Sequence, residues 1–238
     1  MFDNININEN IPAIVLAGGF GTRLRSEIGE NQKAIAPVGE TTFLFYQLKN
    51  WRSQGIKNFI FLLHYKAEKV ISLLKEYVSS EFNDIDYRYL IEPVPLGTGG
   101  SILSAIDHFQ IKSRFWVFNA DTWVPNFYRS FESSAQSQVG VCWMDDVDRY
   151  GTVEFDSKNI ISNFIEKSGA KTPGWVNAGI SILSVADFKF TNEKVFSLED
   201  SIFKPLVSVN RLKVAKLQQK FIDIGVPTDY KKFQHLKS

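Results

Sequence analysis

An apolar run from Ala13 to Leu16 leads into three glycines within four positions, Gly18-Gly19-Phe20-Gly21. The run is typical of a buried strand, and the glycines leave the following loop almost free of Cβ atoms. Backbone N–H groups of such a loop approach a phosphate closely, and Arg23 adds a fixed charge with planar donors. The pattern predicts a loop that binds a nucleoside triphosphate, the alternative being an ordinary glycine turn beside a surface arginine.

Strand and helix patterns alternate through the first half of the chain. Strand-like runs at 57–63, 86–91 and 114–119 are separated by helical spacing at 42–55, 70–77 and 102–109. The pattern of the second half predicts strands at 139–144, 152–155, 160–165, 176–183 and 221–224. It also predicts a short helix near 198–207 and a terminal helix that begins at Pro227. We expect an α/β fold, a single Rossmann-like domain over residues 11–238 with a mixed, mostly parallel sheet flanked by helices, after a flexible leader at residues 1–10.

Composition excludes several classes of function. Among 238 residues, 27 basic and 26 acidic side chains give a net charge of +1, so no global field selects nucleic acid or an anionic membrane. The single Cys142 excludes an intramolecular disulfide and a cysteine-rich metal cluster. The first residues lack the pattern of a signal peptide, and no apolar run approaches the roughly 18 residues of a membrane span. We expect a cytoplasmic protein.

Two further segments are candidates for binding a nucleotide. Lys33, ten residues after Arg23, is suited to hold a triphosphate as a compact charge. Residues 92–100 form a second glycine-rich turn between a strand and a helix, on which a flat ligand has room to lie; the alternative is a tight connection. The predicted nucleotide-binding residues are Leu16, Ala17, Gly18, Gly19, Gly21, Thr22, Glu92, Pro95, Gly97, Thr98 and Gly99.

Two aspartates follow or interrupt apolar runs, Asp121 after a predicted strand and Asp223 between Ile222 and Ile224. A carboxylate among apolar neighbours is costly unless a positive charge pairs with it. Mg²⁺ is commonly held by one or two carboxylates together with substrate phosphates. We therefore expect Asp121 and Asp223 to bind Mg²⁺ or Mn²⁺; a helix cap or a salt bridge is the alternative for either one alone.

The second half of the chain offers polar groups for an acceptor substrate. Glu166 could accept hydrogen bonds from vicinal hydroxyls while Lys167 binds a phosphate, although such a pair is often only a solvated strand end. Asn177-Ala178-Gly179 places a polar side chain among small residues. His64, His108 and His235 show no metal-ligand or nucleophile–base spacing, so no role is assigned to them.

Taken in order, these segments resemble the sugar-1-phosphate nucleotidyltransferases along nearly the whole chain. The family's LAGG-x-GTRL signature matches Leu16 to Leu24, its lysine matches Lys33, and further landmarks match 95–100, 119–121, 150–152, 166–167, 177–179 and 223–225. Segments 24–26, 64–66, 95–100 and 221–227 most resemble the D-glycero-α-D-manno-heptose 1-phosphate guanylyltransferases. Three departures stand out: Gln32 and Ala34 flank Lys33 where the family usually has proline, Ala120 replaces glycine, and the chain after Asp223 leaves no room for a left-handed β-helix.

The resemblance implies that a sugar 1-phosphate attacks the α-phosphorus of a nucleoside triphosphate, here GTP, with loss of pyrophosphate; UTP, CTP and dTTP remain alternatives. It implies a nucleotide sugar for surface polysaccharide synthesis, with D-glycero-α-D-manno-heptose 1-phosphate as the acceptor. The catalytic cations are Arg23, Lys33 and Lys167, and the acceptor is bound by Asn119, Tyr150, Gly151, Glu166, Lys167, Asn177, Ala178 and Gly179. The oligomeric state stays open, with a homodimer as one alternative.

Two other functions compete with this interpretation. In a dinucleotide-dependent oxidoreductase, Gly19-Phe20-Gly21 would form a Rossmann turn, but Leu24 stands where the third glycine belongs and no acidic residue clearly ends the next strand. A catalytically silent nucleotide-sugar sensor is the second. Against it stands the retention of the charged residues Arg23, Lys33, Asp121, Lys167 and Asp223. Release of pyrophosphate separates these cases.

Overall fold

The computed structural model describes residues 11–165, 171–189, 191 and 193–237. Its helices are α1 (Arg25–Ile28), α2 (Phe43–Ser53), α3 (Ala67–Ser80), α4 (Gly97–Phe109), α5 (Lys204–Ser208) and α6 (Pro227–Lys237). Its strands are β1 (Ala13–Ala17), β2 (Pro37–Val38), β3 (Thr41–Thr42), β4 (Asn58–Leu63), β5 (Asp86–Ile91), β6 (Arg114–Asn119), β7 (Thr122–Trp123), β8 (Ser137–Met144), β9 (Thr152–Phe155), β10 (Ile161–Ile165), β11 (Gly174–Ser184), β12 (Leu212–Lys216) and β13 (Ile222–Asp223).

The central sheet is mixed, with the strand order β10-β9-β11-β6-β1-β4-β5, and β8 pairs with both β11 and β12. Strands β6, β1, β4 and β5 are mutually parallel, whereas β11 runs antiparallel to β6. Parallel neighbours need crossover connections, and α2, α3 and α4 supply them. The predicted α/β fold is therefore confirmed, and its crossovers bring the carboxyl ends of four strands to one edge of the sheet.

The inner parallel strands β1, β4 and β6 are buried on both faces, whereas β5 at the edge is largely exposed. In β4, Phe59 and Phe61 pack into one core cluster, while Ile60 and Leu62 pack into the cluster on the opposite face. A strand covered on both sides reads as a continuous apolar run, which is the pattern of residues 59–63. Trp51 of α2 stacks on Phe118 of β6 with ring centroids 5.1 Å apart. Aromatic packing thus fixes α2 against the middle of the sheet.

A third, smaller cluster fixes the terminal helix. Phe233 of α6 lies 4.6 Å from Phe43 of α2 and 5.3 Å from Trp123 of β7, measured between ring centroids. Strand β13, immediately before α6, pairs with β7 and not with the central sheet. The strand predicted at 221–224 is accordingly reduced to two residues, because it forms a small ribbon whose partner is equally short.

The second glycine-rich segment differs from the prediction. Gly97 to Gly100 are helical and form the first turn of α4, which was expected to begin near residue 102. The reason is close packing: a Cβ on Gly97 would lie 2.5 Å from the carbonyl oxygen of Phe196, and one on Gly100 would overlap the carbonyl oxygen of Lys194. The glycines let the chain at 194–198 lie directly on the helix.

Substituting Gly100 by alanine should destabilise the protein. In an ordinary helix this change is stabilising by about 0.5–1 kcal/mol, but here the added methyl meets backbone that cannot move aside. We expect Gly100→Ala to cost about 1–3 kcal/mol, the usual range for overpacking, measured by urea denaturation. Ser104→Ala, also in α4 but partly exposed, is the control and should change stability little. A Gly100→Ala variant as stable as the parent protein would contradict this account.

Candidate active site

A cavity of about 360 Å³ opens at the carboxyl edge of the parallel strands. Its walls come from the loops that follow β1, β4, β5 and β6, where ligands bind in open α/β sheets. The predicted residues that line it are Leu16, Ala17, Gly18, Gly19, Lys33, Glu92, Pro95, Gly97, Thr98, Asn119 and Asp121. The structure thus brings together residues that are more than 100 positions apart in the chain.

The glycine loop, residues 18–21, contributes backbone to this cavity. Gly18 lies against His64, since a Cβ built on Gly18 would come 3.4 Å from the Cβ of His64, whereas nothing lies within 4 Å of a Cβ on Gly19. Gly21 has a φ of +64° and packs on the stem of Lys33. Gly21, Thr22 and Arg23 do not line the cavity; Thr22 and Arg23 lie in the single turn Thr22–Leu24, with both residues exposed.

Lys33 and Asp121 are in direct contact, the ammonium of the lysine donating to Oδ2 of the aspartate. Asp223 lies near them because β13 pairs with β7, placing Asp223 opposite Thr122, and because the Ile224 N–H donates to the Asp121 carbonyl at 3.0 Å. Two carboxylates and one lysine therefore form a cluster beside the cavity, in which Lys33 and Asp121 line the cavity and Asp223 does not.

The electrostatics of Asp223 reflect this arrangement. Burial raises the pKa of Asp223, and the negative charge of Asp121 raises it further. The Gly225 N–H, which donates to Asp223 Oδ1 at 2.8 Å, lowers this pKa, as do the charges of Lys33 and Arg23. Arg23 is thus close enough to influence the pKa of Asp223. The nearby positive charges lower this pKa less than burial and Asp121 raise it.

The side predicted to bind the acceptor is partly described. A Cβ on Gly179, whose φ is +68°, would lie 2.6 Å from Nδ2 of Asn119, so a glycine is needed for Asn119 to fit. Asn177 Oδ1 accepts a hydrogen bond from Gly179 N–H at 2.9 Å. Burial raises the pKa of Tyr150 to about 12, which keeps its hydroxyl a hydrogen-bond donor. Glu166 and Lys167 lie outside the described residues, and Gly151 is exposed.

Two residues that were predicted to bind substrates, Gly99 and Ala178, are buried and do not line the cavity. The Gly99 N–H donates to the Phe196 carbonyl at 3.0 Å, so the packing of 194–198 has taken the group expected to meet a nucleotide. The side chain of Ala178 is fully buried in the core, which leaves no methyl surface for an acceptor.

Other residues of the site were not predicted. His64 and Gln32 line the cavity, and His64 Nδ1 lies 2.7 Å from the Glu92 carbonyl oxygen. His64 directly follows β4, so the strand-end criterion that selected Asp121 would have found it. Arg149 contacts Asp229 of α6 at 2.5 Å and the Tyr150 hydroxyl at 3.1 Å. That ion pair ties the loop of Tyr150 to the terminal helix.

The family model described as nucleotidyl transferase matches residues 12–236. The chain belongs to the nucleotidyl transferase family. The predicted enzyme class is thereby confirmed. Within the described part of this nucleotidyltransferase, no helix is long and apolar enough to cross a bilayer.

The relatives of this nucleotidyltransferase agree in extent and fold. It is 35% identical to the D-glycero-alpha-D-manno-heptose 1-phosphate guanylyltransferase of Campylobacter jejuni over 93% of this chain and 97% of that protein. It is 32% identical to the enzyme of the same name from Aneurinibacillus thermoaerophilus, over 93% and 96%. The crystal structure of HddC from Yersinia pseudotuberculosis superposes with a TM-score of 0.84 at 30% identity, covering 96% of this chain and all of that one. The same protein complexed with GMP-PN gives a TM-score of 0.81 at 29% identity, with the same coverage.

Removing the charge of Asp223 should stabilise the ligand-free protein. Because the pKa of Asp223 is raised in the folded state, its ionisation disfavours folding at neutral pH; this penalty shrinks as the pH falls below the raised pKa and is lost below the ordinary pKa of an aspartate. Asp223→Asn keeps the oxygen that accepts from Gly225 but carries no charge. We expect the Asp223→Asn variant to have a higher Tm than the parent protein in EDTA at pH 7 to 8. The difference between the two Tm values should decrease as the pH is lowered.

The matched control for this measurement is Asp145→Asn. The pKa of Asp145 is lowered by its hydrogen bond and charge interaction with Lys220, so loss of this charge should not raise the Tm. A lower Tm for Asp223→Asn across the whole pH range would contradict the assigned electrostatics.

Proposed function

We propose that this nucleotidyltransferase transfers a guanylyl group from GTP to a sugar 1-phosphate, with D-glycero-α-D-manno-heptose 1-phosphate as the acceptor. The observation that carries the proposal is the charge cluster of Lys33, Asp121 and Asp223 beside a cavity that Gly18 and Gly19 of the glycine loop line. The names of the 35% and 32% identical relatives, and the nucleotide analogue in the structure of the Yersinia protein, support both the donor and the acceptor.

The reaction needs positioning more than proton transfer. The second pKa of a phosphate monoester is about 6, so a sugar 1-phosphate is largely dianionic at neutral pH and requires no general base. Its oxygen forms a bond to the α-phosphorus of GTP while the bond to the pyrophosphate oxygen breaks, giving a nucleotide sugar and pyrophosphate. The obstacle is repulsion between two anions, which cations at the rim would reduce.

The three basic side chains Arg23, Lys33 and Lys167 have different roles in the proposed reaction. Arg23 and the amides of the glycine loop hold the triphosphate and the departing pyrophosphate, while Lys33 neutralises the α-phosphate. The described structure has Lys33 on Asp121, so a bound triphosphate competes with that carboxylate for the ammonium. Lys167 binds the phosphate of the acceptor, and Glu166, Asn177, Tyr150 and Asn119 contact its sugar.

The two aspartates fit a divalent cation. Within the described residues, no group of three or more histidine, cysteine, aspartate or glutamate side chains is arranged for a metal. Asp121 and Asp223 instead form a pair with excess negative charge, and Mg²⁺ typically uses one or two carboxylates plus substrate phosphates. Asp121 and Asp223 would hold Mg²⁺ or Mn²⁺, which when bound supplies positive charge to the triphosphate.

Glu92 supports guanine as the base. It is 6% exposed, lines the cavity, and its Oε1 has no hydrogen-bond partner among the described residues. A buried carboxylate needs donors, and the N1–H and 2-amino groups of guanine place donors side by side on one edge. Adenine and cytosine present an acceptor beside their amino group, which a carboxylate repels.

Pyrophosphate release from a matrix of four triphosphates (GTP, UTP, CTP and dTTP) and several sugar 1-phosphates tests the proposal directly. We expect turnover with GTP and the heptose 1-phosphate. Turnover with another base would correct the donor, turnover with another acceptor would correct the sugar, and tight nucleotide binding without turnover would instead support a silent sensor. A homodimer remains a prediction that size-exclusion chromatography with light scattering would check.

Lys33→Ala should lower the turnover number by roughly 10²–10³-fold, comparable with removal of one preorganised donor at a developing charge. The control is Lys57→Ala, which removes a half-exposed lysine paired with Asp84. Lys57 immediately precedes β4, at the end of that strand away from the cavity. The turnover of this control variant should match that of the parent enzyme. An undiminished turnover number for Lys33→Ala would remove this lysine from the mechanism.

Glu92→Gln should weaken the preference for guanine. Exchange of one carboxylate oxygen for an amide group places a donor against the donors of the base, and we expect kcat/KM for GTP to fall by about 10–100-fold, as when a buried polar group loses its match. Selectivity over ITP, which lacks the 2-amino group, should fall with it. Glu76→Gln on the exposed side of α3 is the control. An unchanged ratio of GTP to ITP would assign base selection elsewhere.

A further inference from the structure

Two buried glutamines bind backbone close in sequence to Lys33 or Asp121, or to the strands that precede them. Gln32 is 2% exposed and Gln47 is completely buried. Each donates its side-chain N–H groups to two backbone carbonyls, those of Ala17 and Tyr65 for Gln32 and those of Ala120 and Thr122 for Gln47. Both glutamines therefore act on backbone that carries the site.

Gln32 fastens the segment that presents the lysine. It immediately precedes the single turn Lys33–Ile35, and its backbone carbonyl accepts from the Ile35 N–H at 3.1 Å. Ala17 ends β1 just before the glycine loop, and Tyr65 lies two residues beyond β4. The amide of Gln32 thus joins the turn of Lys33 to the ends of two central strands.

Gln47 fastens the segment that presents the aspartate. It lies in α2, and its Nε2 is 2.8 Å from the Thr122 carbonyl oxygen and 3.4 Å from that of Ala120. These residues flank Asp121 in the chain. A single side chain therefore holds the backbone on both sides of Asp121.

Both glutamines leave one acceptor unused. Oε1 of Gln32 and Oε1 of Gln47 are buried and have no hydrogen-bond partner among the described residues. The carbonyl acceptors fix which end of each amide carries the N–H groups, so each unpaired atom is the oxygen. Such an atom costs stability. Gln138 differs, because its amide both donates to the Glu132 carbonyl at 2.8 Å and accepts from the Glu132 N–H at 3.0 Å.

We propose that Gln32 and Gln47 are positioning residues, which hold Lys33 and Asp121 in the relative placement that nucleotidyl transfer requires. The inference rests on the proposed function, since it assigns both residues to that reaction. Gln32 fills the position where a proline usually precedes the lysine in the family it resembles. Its two hydrogen bonds replace a stiff ring as the constraint on the backbone before Lys33.

The test compares three methionine variants of similar side-chain volume: Gln32→Met, Gln47→Met and, as the matched control, Gln138→Met. A misplacement of about 1 Å can cost on the order of 10²-fold in rate, so we expect each of the first two to lower kcat at least about 10-fold. KM for GTP should stay within about threefold, because Gln47 does not line the cavity and a methionine at position 32 fills a volume similar to that of the glutamine it replaces. Gln138→Met should lose Tm but keep kcat. Equal kcat for Gln32→Met, Gln47→Met and the parent enzyme would overturn the proposal.

A double-mutant cycle shows whether Gln32 acts through Lys33. In the Lys33→Ala background, Gln32→Met should cause no further loss, since neighbouring residues that act as a unit are not additive. A full additional loss there would overturn the proposal. If a methionine variant fails to fold, the asparagine variant, which keeps the amide but shortens its reach, is measured against the same expectations. An inactive parent enzyme would instead overturn the proposed function itself, so the two failures are distinguishable.

Discussion

Two carboxylates are brought together at the sheet edge by backbone pairing, and the rest of the site is arranged around their repulsion. The pairing of β13 with β7 sets Asp223 opposite Thr122, and the Ile224 N–H holds the Asp121 carbonyl. Burial and the neighbouring charge raise the pKa of Asp223. Lys33 contacts Asp121 directly, and the charges of Lys33 and Arg23 only partly offset the effect of burial on Asp223. Two carboxylates held this close would favour a divalent cation, and such a cation would in turn favour a bound triphosphate.

The fold supplies this arrangement from distant parts of the chain. Four parallel strands end at one edge, and the loops after them form the walls of the cavity. Asp223 lies in β13, which pairs with β7 to form a short two-stranded ribbon. Phe233 of the terminal helix packs against Trp123 of β7 and against Phe43 of α2, and these contacts hold the ribbon in place. The last helix therefore has a direct role in the geometry of the site, because the strand that carries Asp223 immediately precedes it.

Sequence patterns revealed the parts of the site that follow strong local signals. Apolar runs located β1 and β6, and the strand ends then placed Gly18 and Asp121 at a common edge; the glycine spacing found the loop. Local patterns could not find Gln32 or Gln47, because a glutamine that binds distant carbonyls looks like any surface glutamine until the fold is known. The packing role of Gly99 was missed for the same reason. Its partner, Phe196, is almost 100 residues away, and a glycine needed for close packing has the same signature as one needed for a ligand.

Several groups that disfavour folding lie at the carboxyl edge of the sheet, next to an aromatic part of the core. Asp223 with its raised pKa and the unpaired oxygens of Gln32 and Gln47 all lie near the carboxyl edge. Behind that edge, Trp51, Phe59, Phe118 and Trp116 form a continuous set of ring contacts. Apolar burial of this size outweighs a few unpaired polar atoms. The aromatic core therefore compensates for the unpaired polar groups at the edge. The proposed positioning role of Gln47 would act from α2 on the backbone beside Asp121.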